Sequence, residues 1–112
     1  MNIERENRAG GVTVLRPEGR LDLVTAPAFK QHVADVVKTA SRRVIVDLNK
    51  VTFIDSSGLG ALIGGLKSAR QAGGDLRIAR PGDQAKVILE LTTLNKVLKP
   101  YATIEEALAG YA

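Results

Sequence analysis

The chain has 112 residues, 45% of them hydrophobic and 25% charged, a size and balance that fit one compact core and exclude wholesale disorder. It contains no cysteine, which excludes disulfides, thiolate metal sites and cysteine nucleophiles, and its apolar runs fall far short of the ~20 residues that cross a membrane. The net charge of +4 comes from basic residues scattered between Arg5 and Lys99, with two Phe and two Tyr to stack on bases, so neither direct nucleic-acid binding nor a membrane contact is expected.

No internal repeat, linker or low-complexity run divides the sequence, so a single cytoplasmic domain over 1–112 is the expectation. Ile3 to Arg8 reads as a short edge strand, Gly10-Gly11 as a turn, and Val12, Val14 and Leu15 as a strand ending at Pro17, together a hairpin. Gly19-Arg20-Leu21-Asp22 follows. Thr25-Ala26-Pro27 then has the chemistry of a helix start, with Thr25 as cap and Pro27 in the first turn, and Phe29, Val33, Val36, Val37 and Ala40 recur at helical spacing. Arg43 to Leu48 is a β-branched run that predicts a buried parallel strand.

Val51-Thr52-Phe53-Ile54 leads into a second helix over Ser56 to Gln71, with Leu59, Leu62, Ile63 and Leu66 on one face and Gly73-Gly74 as its stop. Leu76 to Ala79 predicts another strand. Pro81-Gly82-Asp83 opens a third helix with Asp83 as cap and Val87, Ile88 and Leu91 as its inner face. Thr103 and Glu106 have capping-box spacing for a last short helix carrying Ile104, Ala107, Leu108 and Tyr111. The sum is an α/β fold, a mixed four- to five-stranded sheet with about four helices.

The junction Asp55-Ser56-Ser57-Gly58-Leu59-Gly60 is the most distinctive segment. Asp55 is an N-cap candidate whose carboxylate can accept from the open N–H groups of the first turn, and Ser56 and Ser57 occupy that turn. A phosphate there would add about −1.5 to −2 charge beside donors and a dipole end that favour it, so the fold tolerates it while a partner packed over the helix start does not. At about 100° per residue Ser57, Ala61, Gly64 and Ser68 fall opposite the leucine stripe, a face almost free of bulk. Gly64-Gly65 either admits a partner's backbone or lets the helix lie close to its own sheet; both readings stand.

With the upstream Gly19-Arg20-Leu21-Asp22, this segment resembles the STAS domain family, and within it the free-standing bacterial anti-sigma factor antagonists, over nearly the whole chain in element order. The resemblance implies a STAS-type fold and a binding protein without cofactor or metal. In that family the unphosphorylated antagonist binds an anti-sigma factor that is also a serine kinase and so frees the sigma factor. The kinase phosphorylates a helix-start serine to end the interaction, and a serine phosphatase reverses it. By position the phosphoacceptor is Ser56, although periodicity places Ser57 farther toward solvent. Asp22 matches the acidic loop residue implicated in kinase contact. Asp22, Asp55, Ser57, Gly58, Ala61 and Gly64 are the candidate partner-binding residues.

Two other functions are compatible with these residues. A serine hydrolase could use Ser56 or Ser57 with His32 and Asp22, although the Gly-x-Ser-x-Gly elbow is missing and His32 is the only histidine. A non-phosphorylated STAS subunit of a transporter complex or sensory scaffold would keep the fold and change the task.

Overall fold

The computed structural model describes residues 1–39, 41–109 and 111. Strand β1 (Ile3–Arg8) turns at Gly10-Gly11, both at positive φ, into β2 (Val12–Pro17). Then follow β3 (Gly19–Leu21), α1 (Ala26–Thr39), β4 (Arg43–Asp47), β5 (Val51–Ile54) and α2 (Ser56–Gln71). The chain continues through β6 (Asp75–Ala79), α3 (Asp83–Leu91), a 3-10 turn (Leu94–Lys96), β7 (Pro100–Tyr101) and α4 (Ile104–Ala109).

Strands β1, β2, β4, β6 and β7 lie in that order in a mixed sheet, with β1 antiparallel to β2 and the other pairs parallel. Strands β3 and β5 form a separate parallel pair. The α/β class, the mixed sheet and the four helices agree with the sequence reading. Strands β3 and β7 are additional, and at three and two residues they are too short to show an alternating pattern.

Both faces of the sheet are covered, which is why the centre of β4, Val44-Ile45-Val46, is apolar on both sides. Val44 and Val46 join Leu15, Phe29, Val33, Leu62, Leu66 and Ile78 in the larger core under α1 and α2. Ile45 turns to the opposite face, where it packs with Val12, Val14, Ala79, Ile104 and Ala107 beneath α4. The Tyr111 hydroxyl donates to the Val44 carbonyl at 3.0 Å, holding the end of the chain on that second face, and burial pushes the phenol's pKa well above its ordinary value.

Several local expectations change. Thr25 does not cap the helix with its side chain: its hydroxyl donates back to the Arg20 carbonyl at 2.8 Å and accepts from the Asp22 N–H at 2.9 Å. The carboxylate of Asp22 takes up the Val24 and Thr25 N–H groups instead. Asp83 is the first helical residue of α3 and Gly82 the cap, so Asp83 acts on the helix dipole rather than through a cap bond. Ala85 and Leu89 form the inner face of α3, Ile88 is half-buried, and Val87 and Leu91 are exposed. Ala40, expected on the apolar face of the first helix, lies outside the described residues. Among the described residues no helix is long and apolar enough to cross a membrane.

Asp47 closes β4 and fixes the route to the site. Its buried carboxylate receives the Arg80 guanidinium at Nε (3.0 Å), Arg16 Nε (3.3 Å) and the Asn49 N–H (3.1 Å). Desolvation opposes ionisation, but the Arg80 hydrogen bond, the Asn49 N–H and the charges of Arg80 and Arg16 outweigh it and hold the carboxyl below the usual carboxylate range. This cluster pins the β4–β5 turn from which the strand feeding α2 departs.

Candidate functional site at the start of the second helix

Two chain reversals meet at one end of the β3–β5 pair. Leu21 lies opposite Ile54 in register, so the loop after β3 and the entry to α2 emerge side by side. Asp55 joins them. Its Oδ1 accepts from the Gly58 N–H at 2.8 Å, capping α2, and its Oδ2 accepts from the Leu23 N–H at 3.2 Å; its own N–H donates to the Leu21 carbonyl at 3.3 Å. One carboxylate thereby holds the helix start and the neighbouring loop as one unit.

Gly58 shows how tightly they are packed. A Cβ on this residue would stand 2.1 Å from the Leu21 carbonyl oxygen, a backbone atom that cannot swing aside. Gly58 is buried, so it serves the joint between helix and strand and not a partner surface.

Ser56 is exposed and Ser57 half-buried, the reverse of the order ideal helical periodicity gives and the same residue the family resemblance selects. Neither hydroxyl is engaged by another group among the described residues. With Gly58 taken by the cap and Leu59 bonded to the Asp55 carbonyl at 3.0 Å, the Ser56 and Ser57 N–H groups are the open first-turn donors. A negative group on Ser56 would therefore sit at the positive end of a 16-residue helix.

Asp22 lies one residue beyond β3. Its Oδ2 pairs with Arg20 Nε at 3.2 Å, and its Oδ1 accepts from the Val24 N–H at 3.0 Å and the Thr25 N–H at 3.2 Å. Desolvation works against the charge, yet the bonds from Thr25, Arg20 and Val24 together hold this carboxyl below its ordinary range. Arg20 also lies over the Phe53 ring, 4.4 Å from its centroid.

The expected open face of α2 requires correction. Ala61 is fully buried, because α1 covers a second side of the helix that the leucine stripe does not reveal. Gly65 would place a Cβ 3.0 Å from Leu76 on the sheet and 3.3 Å from Val33 on α1, so that glycine lets α2 wedge between its own neighbours. Gly64 is half-buried, with Lys30 Cε of α1 3.8 Å from its Cβ position. The exposed residues of the helix are instead Ser56, Gly60, Lys67, Arg70 and Gln71.

Sequence reasoning did not find Leu23 and Val24, which are 72% and 84% exposed. Their signal was their position, two apolar residues directly after Asp22 with no periodic element to bury them. His32, the other member of the hydrolase constellation, sits in mid-α1 with its Nδ1 3.0 Å from Arg5 Nη2. Burial and the Arg5 charge press its pKa down, and no hydrogen bond joins it to Ser56, Ser57 or Asp22. Among the described residues no cluster of three His, Asp or Glu could hold a metal ion.

The sequence matches the STAS domain over residues 4–107. It is 33% identical over 98 residues to a candidate anti-sigma factor antagonist of Thermotoga neapolitana, covering 87% of each chain. It is 31% identical over 100 residues to the anti-sigma-F factor antagonist RsfB of Mycobacterium tuberculosis, 89% of this chain and 81% of that protein. A crystal structure of an anti-sigma factor antagonist from Mycobacterium paratuberculosis superposes with a TM-score of 0.85 at 29% identity, covering 98% of this chain and 92% of the other.

Proposed function

We propose, because the chain belongs to the STAS domain family, that residues 1–112 form one STAS domain acting as an anti-sigma factor antagonist controlled at Ser56. In its unphosphorylated form it binds an anti-sigma factor serine kinase in the cytoplasm, and the sigma factor is released. The kinase then moves the γ-phosphoryl group of ATP onto Ser56 Oγ, which gives up its proton as ADP leaves, and the complex separates. A serine phosphatase hydrolyses the ester and restores the binding form.

The observation that carries this reading is the exposed, unengaged Ser56 hydroxyl at the mouth of a helix already capped by Asp55, with two open N–H donors beside it. Phosphate there meets favourable backbone dipoles, which supports survival of the fold. A partner seated over the same spot would have to desolvate that charge or set an acid against it, at several kcal/mol. A swing from 1:99 to 99:1 needs about 5.5 kcal/mol of differential affinity, so one phosphate is of the right size. Asp22 fits a supporting role: its carboxylate shapes the loop that Asp55 holds beside the serine.

Incubation with the purified anti-sigma factor kinase of the source organism and ATP, followed by mass spectrometry, should place one phosphate on Ser56 and none on a Ser56→Ala variant. A phosphate on Ser57 alone, or none at all, would overturn the assignment.

A further inference from the structure

Four exposed apolar residues, Leu23, Val24, Pro27 and Ala28, lie within six positions around the start of α1. The loop that carries the first two is braced by side-chain hydrogen bonds. The Leu23 N–H is bound by Asp55, and the Val24 and Thr25 N–H groups by Asp22, so both apolar side chains are held outward on a braced turn. Presenting them this way loses hydrophobic stabilisation in the free protein and lowers the ordering cost of an encounter.

The patch does not end at the loop. Pro27 also lines a groove between α1 and α2 whose wall is Gly64 and Gly65, with Lys30, Gln31, Ala34 and Ser68 around it. On α1 the groove begins at Pro27, just past the loop that Asp55 holds to the start of α2, and on α2 it begins at Gly64, about two turns beyond Ser56. Lys30 stands over Gly64, and Lys67 is exposed one turn along α2; neither forms an ion pair among the described residues. The surface is thus apolar at its crest, open along a small-residue channel and positive at its rim.

We propose, resting on the switch reading above, that Leu23, Val24 and Pro27 with the Gly64 groove form the docking surface for the anti-sigma factor, which presents an apolar segment bearing acidic residues to Lys30 and Lys67. Charge complementarity selects that chemistry, and it explains why the switch is a phosphate. An acidic partner face that spans the braced loop and the lysines is repelled when negative charge is added at Ser56, which stands beside that loop at the start of the same helix. The apolar anchors supply the affinity, and the charge balance decides whether they are used.

The test titrates the purified anti-sigma factor kinase of the source organism into five proteins: wild type, Leu23→Ser/Val24→Ser, Lys30→Glu/Lys67→Glu, Ser56→Asp, and the control Val87→Ser/Leu91→Ser on α3. Both groove variants should bind about tenfold or more weaker, the lysine variant with a flattened salt dependence, while the α3 control binds like wild type. All substituted groove positions are exposed, so thermal midpoints should stay close to wild type. If both groove variants bind normally while Ser56→Asp does not, the docking surface is overturned and the switch reading stands. If wild type itself fails to bind, both fall. Self-association of the wild type in sedimentation, abolished by Leu23→Ser/Val24→Ser, would assign the patch to a second copy of this chain and overturn the proposal.

Discussion

Gly58 meets the carbonyl of Leu21 so closely that the second helix and the third strand touch backbone to backbone, with no room for a methyl group. Alanine at position 58 must push the helix start away from β3 and disturb both bonds of Asp55, and the expected cost is about 2–3 kcal/mol. Gly60, two residues on, has nothing within 4 Å of its Cβ position. Gly60→Ala should therefore stabilise the protein by up to about 1 kcal/mol through helix propensity alone. Urea midpoints of the two variants check the opposite signs.

Gln84 braces the strand that delivers the site. Its Nε2 donates to the Ile54 carbonyl and its Oε1 accepts from the Ile54 N–H, both at 2.8 Å, so one side chain stands in for a neighbouring strand. Ile54 is fully buried, and Gln84→Ala leaves two of its backbone groups without protein partners, at about 1–3 kcal/mol. Amide exchange at Ile54 should accelerate in this variant more than exchange in β4.

The site was legible in the sequence where it depends on residue type and obscured where it depends on neighbours. Asp55 before a small-residue turn could be read as a cap because only a short acceptor at that position reaches the first-turn N–H groups. Ala61 was misplaced because periodicity marks the stripe facing the sheet and says nothing of α1, which buries a second side of the same helix. Ser56 and Ser57 were inverted by the same periodicity, since a first turn departs from ideal geometry. Val87 and Leu91 look like core residues by type. With α3 only nine residues long, Ala85 and Leu89 take the buried positions, and the larger side chains are left outside.

Asp47 predicts the acid behaviour. Its carboxyl titrates below the ordinary value in the folded chain, so its contribution is present above the unfolded pKa near 3.9 and is lost as pH falls through the lower folded pKa. At pH 7 Asp47→Asn should cost about 2–3 kcal/mol, less than for a fully buried pair because the Arg80 side chain is 41% exposed. Stability measured from pH 7 down to pH 3 should fall less steeply in the variant than in wild type.

Asp55→Ala removes the acceptor for both Gly58 and Leu23, and the expected loss is about 1–2 kcal/mol. Hydrogen exchange should rise at both amides together, since one carboxylate serves them. Faster exchange at Gly58 with Leu23 unchanged would show that the loop is held by Asp22 alone.

Phosphoserine at position 56 should be acceptable to the fold and unacceptable to the partner. The most direct measurement compares the singly phosphorylated protein with the unmodified one, recording the thermal midpoint of each and its affinity for the anti-sigma factor kinase. The two thermal midpoints should lie within a few degrees of one another, and the phosphorylated form should lose about 100-fold or more in affinity. Equal affinities, or a phosphorylated form that no longer folds, would contradict the switch at Ser56.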